Sequence, residues 1–284
     1  MGGARGLVLD GVSKRFGRGH WVLDNVELAV EPESVTFVVG ANGCGKSTLL
    51  RIGAGLSRPT VGRVLGRPAH VAFAPERLPA RLRLSGRQYV THMGRLRGLH
   101  PAQASKRADE LFDRLRLSPG PDVPMRSLSK GNTQKVALVQ AFLAPVGLLI
   151  LDEPFSGLDA SARDAVGELM TESRSSGAAV LISSHATVSE IRPDRALELL
   201  GGRLQPSGAA EEPWMDIELR GGADGTGGFE DLPGVRIQDV DRARRRLTLS
   251  VRRSVADATL ARALADGWSV VSVTSAPSSG SDNS

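Results

Sequence analysis

A glycine-rich run around residue 40 has the residue types that hold phosphate groups. In order, it reads Gly40, Ala41, Asn42, Gly43, Cys44, Gly45, Lys46, Ser47 and Thr48. Glycines at this spacing let the backbone wrap around phosphates with its N–H groups pointing inward. In such a loop Lys46 bridges the β- and γ-phosphate oxygens, and the Ser47 hydroxyl is a ligand of Mg²⁺. The run therefore predicts a nucleotide phosphate site.

The flanking residues supply the elements that such a loop requires. An apolar, β-branched run at 35–39 predicts a strand before the loop, and residues 48–52 predict a helix after it. A chance glycine-rich turn has no reason to lie between a strand and a helix. The helix N-terminus adds a positive field at the phosphates.

Two adjacent carboxylates form a second candidate group. Asp152 and Glu153 follow the apolar run 148–151, which predicts a buried parallel strand. Ligands of open α/β sheets bind at this end of the strands, where the phosphate loop also lies. Asp152 is expected to reach Mg²⁺ through a water, and Glu153 to polarise an attacking water. Taken alone, the pair reads better as a solvated strand end, but together with the phosphate loop it favours a catalytic role.

Two further stretches belong to the same sheet edge. Residues 128–132 precede a helical stretch predicted at 133–143, and a buried strand predicted at 178–182 leads to His185. A single histidine at a strand end is more often structural than catalytic. Its position beside the phosphate loop favours a catalytic role.

The order and spacing of these motifs over about residues 5–205 resemble the nucleotide-binding domain of ABC transporters. The phosphate loop resembles the family's Walker A motif. The other four matches are the Walker B motif at 148–154, the signature loop at 128–132, the D-loop at 156–159 and the switch histidine at His185. Five motifs in this order are highly specific.

The resemblance implies that ATP and Mg²⁺ are the cofactors and that two such domains pair head to tail. Each ATP then lies between the Walker motifs of one domain and the signature loop of the other. Ser129 and Gly131 would contact the γ-phosphate across the interface. The expected partners are a second nucleotide-binding domain, as a homodimer, and a separate transmembrane permease.

The resemblance also assigns roles within one domain. Glu153 would be the general base, His185 would steady the γ-phosphate, and Asp159 would join the two sites. Phe16 aligns with the aromatic residue that stacks on adenine, although an ordinary core phenylalanine remains an alternative.

Three positions depart from the family pattern. Lys130 stands where glycine is usual and adds charge near the phosphate, and Asn132 stands where glutamine is usual. Glu76 occupies the position of the Q-loop glutamine. A glutamate there can still accept from a bound water or approach Mg²⁺, but its charge puts the usual coupling contact in doubt.

The sequence predicts an α/β fold with a P-loop NTPase core of the ABC ATPase type at residues 1–205. A helical pattern at 84–127 predicts the subdomain that docks a transmembrane partner. Residues 206–212 are predicted to be a linker, 213–275 a small α+β domain, and 276–284 a disordered tail.

The prediction of a C-terminal domain depends on segments in which apolar and polar residues alternate. Strands are predicted around residues 215–219 and 247–251 and at 268–273, with a flexible loop at 221–228. Ser254 is expected to cap a helix that Gly267 ends. The domain resembles the small appendage of many exporter-type ATPases.

Composition narrows the class of protein. The net charge is +5, but only 5 of the 36 basic residues are lysines, and aromatic residues make up 4%. Scattered arginines with few aromatics do not predict a nucleic-acid surface. One cysteine, no signal-peptide pattern and no apolar run long enough to span a bilayer predict a cytoplasmic protein. The resemblance implies that it is peripheral on the membrane through its permease.

The sequence thus favours the ATP-hydrolysing subunit of an ABC exporter, with substrate choice left to the permease. The alternative is a soluble ABC ATPase that acts on ribosomes or DNA. Family members that act on ribosomes usually carry two such domains in one chain, and members that act in DNA repair contain long coiled coils. The chain has one such ATPase domain and no heptad pattern of a coiled coil.

Overall fold

The computed structural model describes residues 6–17, 19–79, 83–185, 190–207, 214–222, 228–229, 232, 234–241 and 243–275. The chain divides into two compact units, residues 1–208 and 209–284. Among the described residues, no helix has both the length and the apolar character needed to cross a bilayer.

The first unit contains two sheets. Its described strands are β1 (Leu7–Arg15), β2 (Trp21–Val30), β3 (Val35–Val39), β4 (Val61–Leu65), β5 (Val71–Ala74), β6 (Leu148–Asp152), β7 (Ala179–Ser184), β8 (Arg195–Leu200) and β9 (Arg203–Pro206). The larger sheet has the order β5-β6-β7-β3-β8-β9, with every neighbouring pair parallel except β8 and β9. The smaller sheet, β2-β1-β4, is antiparallel.

The helices of this unit are α1 (Lys46–Gly53), α2 (Gly86–Leu96), α3 (Pro101–Arg114), α4 (Lys130–Phe142) and α5 (Ala160–Ser175), with a 3-10 turn at Met125–Ser127. They cover both faces of the larger sheet. Leu148 and Ile150 pack in a cluster with α1 and the smaller sheet, whereas Leu149 and Leu151 pack in a second cluster with α2 to α5. Because side chains alternate along a strand, β6 is apolar on both faces and buried throughout.

Two helices begin earlier than the sequence pattern predicts. Helix α1 begins at Lys46 instead of residue 48, because Gly45 takes a left-handed φ of 113° and forms the N-cap. Helix α4 begins at Lys130 instead of residue 133. The Ser129 hydroxyl there accepts a hydrogen bond from the Asn132 N–H and caps the helix.

The predicted linker at 206–212 begins two residues too early. Pro206 pairs with Leu197 at the end of β9, and the Ser207 N–H donates to the Ala196 carbonyl. Proline is tolerated there because β9 is an edge strand of the sheet. The remaining linker positions, 208–212, lie outside the described residues, as does the predicted tail at 276–284.

The second unit contains β10 (Trp214–Gly221), β11 (Val235–Asp241), β12 (Arg246–Arg252), α6 (Arg253–Ala265) and β13 (Trp268–Ser275). Its antiparallel sheet has the order β11-β12-β10-β13, and one apolar cluster includes residues of the sheet and of α6. A side chain at Gly222 would lie 2.2 Å from the Trp268 ring, so glycine is required beside it. Positions 223–227 of the predicted loop lie outside the described residues.

The sequence pattern misses β11 and misplaces the start of α6. A register shift between Ile237 and Asp239 breaks the period-two alternation that would have indicated β11. Helix α6 begins at Arg253, directly after β12, so Ser254 lies inside the helix instead of capping it.

Candidate functional site

The phosphate loop turns directly into α1. Gly43 and Gly45 have φ values of 77° and 113°, which side-chain-bearing residues rarely adopt. A side chain at Gly45 would also lie 2.9 Å from the Val22 carbonyl oxygen. The first N–H groups of α1 lack intrahelical acceptors, so this end of the helix favours an anion.

Lys46 closes over the loop. Its Nζ donates to the carbonyl oxygens of Gly40 at 2.6 Å and Ala41 at 3.2 Å. The same Nζ lies 3.4 Å from Glu153 Oε1, and only 6% of the lysine side chain is exposed. The ammonium group is therefore held at the loop, beside a carboxylate.

Most of the predicted nucleotide residues line one cleft of about 280 Å³. Its lining residues are Phe16, Val22, Asn42, Gly43, Gly45, Lys46, Ser47, Thr48, Glu76 and Glu153. Gly40 and Cys44 are not among the lining residues, and Cys44 packs against an apolar cluster of the first unit.

Phe16 and Glu76 lie at the cleft without being part of the core. Phe16 is 60% exposed, and Lys14 Nζ lies 5.0 Å from its ring centroid. An exposed ring excludes the core alternative and suits a base-stacking surface. Glu76 Oε1 accepts from the neighbouring Arg77 Nε at 3.3 Å.

The two predicted carboxylates lie at the end of β6. Asp152 is buried, and its Oδ1 accepts from the Ser183 hydroxyl at 2.7 Å. Glu153 leaves the strand with a left-handed φ of 50°, an unfavourable backbone conformation for a residue with a side chain. Its N–H donates to Ser183 Oγ at 3.0 Å.

The Glu153 side chain lies between two nitrogen groups. Oε1 is 3.4 Å from Lys46 Nζ and 3.3 Å from His185 Nε2. Neither contact has hydrogen-bond geometry, so this buried oxygen has no hydrogen-bond donor among the described residues. It is a buried acceptor oxygen on a residue that lines the cleft.

The oxygen donors at this edge fit Mg²⁺, a hard cation that takes hydroxyl, carboxylate, water and phosphate oxygens. Ser47 supplies a hydroxyl in the first turn of α1, and Asp152 supplies a buried carboxylate. The buried, undonated Glu153 Oε1 adds to the negative charge there.

The predicted signature residues do not line this cleft. Ser129 caps α4, and Lys130 Nζ donates to Ser156 Oγ at 3.2 Å. A side chain at Gly131 would lie 2.3 Å from the Gly157 carbonyl oxygen. Ser129 and Lys130 are exposed while α4 is buried from Gln134 onward. Their contact with a partner's nucleotide stays a prediction.

Asp159 has a local role in this chain. It caps α5 by accepting from the Ser161 hydroxyl and the Ala162 N–H at Oδ1, and its Oδ2 accepts from Lys135 Nζ at 3.0 Å. The Ser161 hydrogen bond, with those from Ala162 and Lys135, holds the pKa of Asp159 well below its usual range. Its predicted role in joining two sites remains a prediction.

Three residues at the site were not predicted from the sequence. Ser183 contacts both carboxylate residues, Gln134 Nε2 donates to the Glu153 carbonyl at 3.4 Å, and Lys135 joins α4 to Asp159. Ser183 directly follows the apolar run 178–182, and Gln134 and Lys135 directly precede the apolar run 136–139, which was the signal available.

Known proteins similar to this chain are ATP-binding proteins. Residues 23–156 match the family model described as ABC transporter. The chain is 33% identical to the Nod factor export ATP-binding protein I of Cupriavidus metallidurans, over 63% of this chain and 62% of that protein. It is 34% identical to the taurine import ATP-binding protein TauB of Mesorhizobium japonicum, over 63% of this chain and 73% of that protein.

A solved structure of an ATP-binding subunit of an ABC transporter superposes with a TM-score of 0.64 at 30% identity. The match covers 70% of this chain and 88% of that one. The chain spans about three fifths of the length of the first curated relatives it matches. The predicted α/β P-loop ATPase fold is confirmed.

We expect Asp159→Ala to lower the free energy of unfolding at pH 7 by about 1 kcal/mol, because α5 loses its cap. Asp159→Asn keeps a capping oxygen and should lose less. Since the pKa is lower in the folded state, the carboxylate stabilises the fold above its unfolded pKa, and this contribution is lost as the pH falls through the folded value. Urea unfolding at pH 7 and below pH 4 measures the difference, and equal stability of wild type and Asp159→Ala at pH 7 would contradict the assignment.

A second prediction uses Cys44, the chain's single cysteine. A maleimide should label it slowly and inactivate ATP hydrolysis, because the half-buried thiol lies inside the phosphate loop. ATP should slow the labelling further by closing the loop around its phosphates. Mass spectrometry of the labelled chain gives the rates, with Cys44→Ala as the unlabelled control. Equal rates with and without ATP would refute protection.

Proposed function

The chain belongs to the ABC transporter family, and from that premise we propose that it binds and hydrolyses ATP to energise a separate membrane permease. The observation that carries the proposal is the single cleft lined by the phosphate loop, Lys46 and Glu153. A phosphate cradle alone would support binding. The buried acceptor oxygen of Glu153 beside it supports hydrolysis.

Binding follows from the loop and from Lys46. The N–H groups at the start of α1 are donors for phosphate oxygens, and Lys46 exchanges its contacts with the Gly40 and Ala41 carbonyls for contacts with the β- and γ-phosphates. This exchange also separates the ammonium group from Glu153, 3.4 Å away. Phe16 stacks on the adenine, and Ser47 and Asp152 would hold Mg²⁺, which neutralises phosphate charge when bound.

Hydrolysis follows from Glu153. Its Oε1 accepts a proton from the attacking water, the water oxygen bonds to the γ-phosphorus, and the bond from that phosphorus to ADP breaks. His185, whose Nε2 is 3.3 Å from Oε1, lies where it can hold both the γ-phosphate and the carboxylate in position.

The complete site needs a second copy of the domain in this proposal. The exposed Ser129 and Lys130 at the start of α4 offer N–H donors and a positive charge to a nucleotide held by the partner. Two copies pairing head to tail would place each such end against the other's phosphate loop. A homodimer bound to a separate permease, on the cytoplasmic face of the membrane, is the assembly we propose.

We propose export as the direction of transport. The relatives include an export and an import protein, so family membership leaves the direction open. Export rests on the second unit, an antiparallel sheet with one helix that resembles the appendage of exporter-type ATPases.

The proposed function predicts that Glu153→Gln binds ATP but lowers turnover by at least about 100-fold, because the water loses its base while the phosphate cradle stays intact. The variant should accumulate as an ATP-bound dimer. Phosphate release measures turnover, and a fluorescent ATP analogue measures binding.

Lys46→Ala is the matched control, because it removes the phosphate contact and should lose binding itself. Turnover by Glu153→Gln at the wild-type rate would exclude Glu153 as the base. If neither Glu153→Gln nor the wild-type chain binds ATP, the proposed function is excluded.

The second unit holds none of the site residues, so we expect it to support pairing. Shortening Glu153→Gln to residues 1–207 should leave ATP binding intact and weaken ATP-dependent dimerisation. The physical reason is that an interface on the second unit raises the effective concentration of the two ATPase units. Analytical ultracentrifugation compares the two lengths, and identical dimer affinities would assign the second unit to another partner.

A further inference from the structure

We propose that Ser183 is a positioning residue for ATP hydrolysis, because its one hydroxyl holds both Asp152 and the backbone of Glu153. The inference rests on the proposed function and names a residue that the sequence motifs do not include. Ser183 lies in β7 opposite Asp152 in the parallel register, and its side chain is fully buried. No water competes for its hydrogen bonds.

The direction of each hydrogen bond follows from the donors present. The Glu153 N–H can only donate, so Ser183 Oγ accepts there at 3.0 Å. The hydroxyl carries one proton, which it then donates to Asp152 Oδ1 at 2.7 Å. Because hydrogen bonds to a carboxylate are strong, this contact restrains the rotation of the Asp152 carboxylate.

The second contact acts on an unfavourable backbone conformation. Glu153 has a φ of 50°, which a side-chain-bearing residue adopts only where its surroundings hold it. Its carbonyl accepts from the Ser156 N–H at 3.2 Å, and its N–H has Ser183 as acceptor. Without the hydroxyl, a buried N–H would lose its acceptor and the left-handed turn one of its restraints.

The consequence for the side chain is geometric. The position of Oε1 between Lys46 and His185 depends on the direction in which the Glu153 Cα–Cβ bond leaves the backbone. A relaxed backbone at residue 153 would swing that bond and move the acceptor away from the attacking water. Binding of ATP by the loop would be unaffected, because Ser183 does not line the cleft.

The test compares three full-length variants with the wild type by steady-state kinetics. Ser183→Ala removes the hydroxyl and should lower kcat by about 10- to 100-fold, with KM for ATP within about threefold of wild type. Ser183→Thr keeps a hydroxyl on a strand residue and should restore most of kcat. Thr36→Val removes another buried hydroxyl from the neighbouring strand β3 and should keep the wild-type kcat.

A double variant keeps the test informative if threonine does not fit. Ser183 acts partly through Glu153 and partly through Asp152 in this proposal, so adding Ser183→Ala to Glu153→Gln should lower the remaining turnover by a clearly smaller factor than in the wild-type background. An additional loss as large as in the wild-type background would overturn the proposal.

Three further results would overturn it. These are an unchanged kcat in Ser183→Ala, a rise in KM without a fall in kcat, or an equal loss of kcat in Thr36→Val. If the wild-type chain hydrolyses ATP, each of these refutes the role of Ser183 alone. A wild-type chain that binds ATP but never hydrolyses it refutes the proposed function as well.

Discussion

The parallel register of three adjacent strands determines where the chemistry of this chain can occur. Strand β7 lies between β3 and β6, with Val39 opposite Ser184 and Asp152 opposite Ser183. Parallel pairing brings the ends of the three strands to one edge of the sheet. The phosphate loop, the two carboxylates and His185 lie at or directly after these ends, so residues distant in sequence become neighbours.

Burial then sets the strength of the contacts at that edge. Lys46, Asp152 and Glu153 are all buried, and burying a charge is costly unless opposite charges or hydrogen bonds surround it. The ammonium group has two carbonyl acceptors and a carboxylate, whereas Glu153 Oε1 has no hydrogen-bond donor among the residues that the structure describes. The site therefore contains a buried carboxylate oxygen that can still accept a hydrogen bond.

Local patterns in the sequence predicted the parts of the fold and site that depend on local physics. The glycines of the run from Gly40 to Thr48 indicate a tight turn by themselves, and the apolar run before Asp152 is typical of a buried strand. Family membership, the P-loop fold and the strands at 35–39 and 148–151 were predicted in this way. The cleft also gathers Phe16 and Glu76 as the motif order implied.

The other features of the fold and the site depend on pairing between distant segments, which a single sequence does not show. The sequence indicates only that Ser183 lies in a strand. Its position opposite Asp152 follows from the pairing of β7 with β6. The sequence indicates Asp159 only as a motif residue. In the structure its carboxylate caps α5 by accepting from the Ala162 N–H, and it also accepts from Lys135, which lies on another helix. Strand β11 was missed because a bulge disrupts the periodicity on which strand prediction depends.

The contact between Gly131 and Gly157 has a mechanical meaning beyond its packing. With no side chain on either residue, the start of α4 lies against the backbone that follows Glu153, and no deformable atoms separate the two segments. A displacement of the catalytic turn would therefore be passed on as movement of α4 instead of being absorbed. In the proposed head-to-tail dimer, that movement would reach the nucleotide bound by the other subunit, so ATP binding at one site would depend on the state of the other.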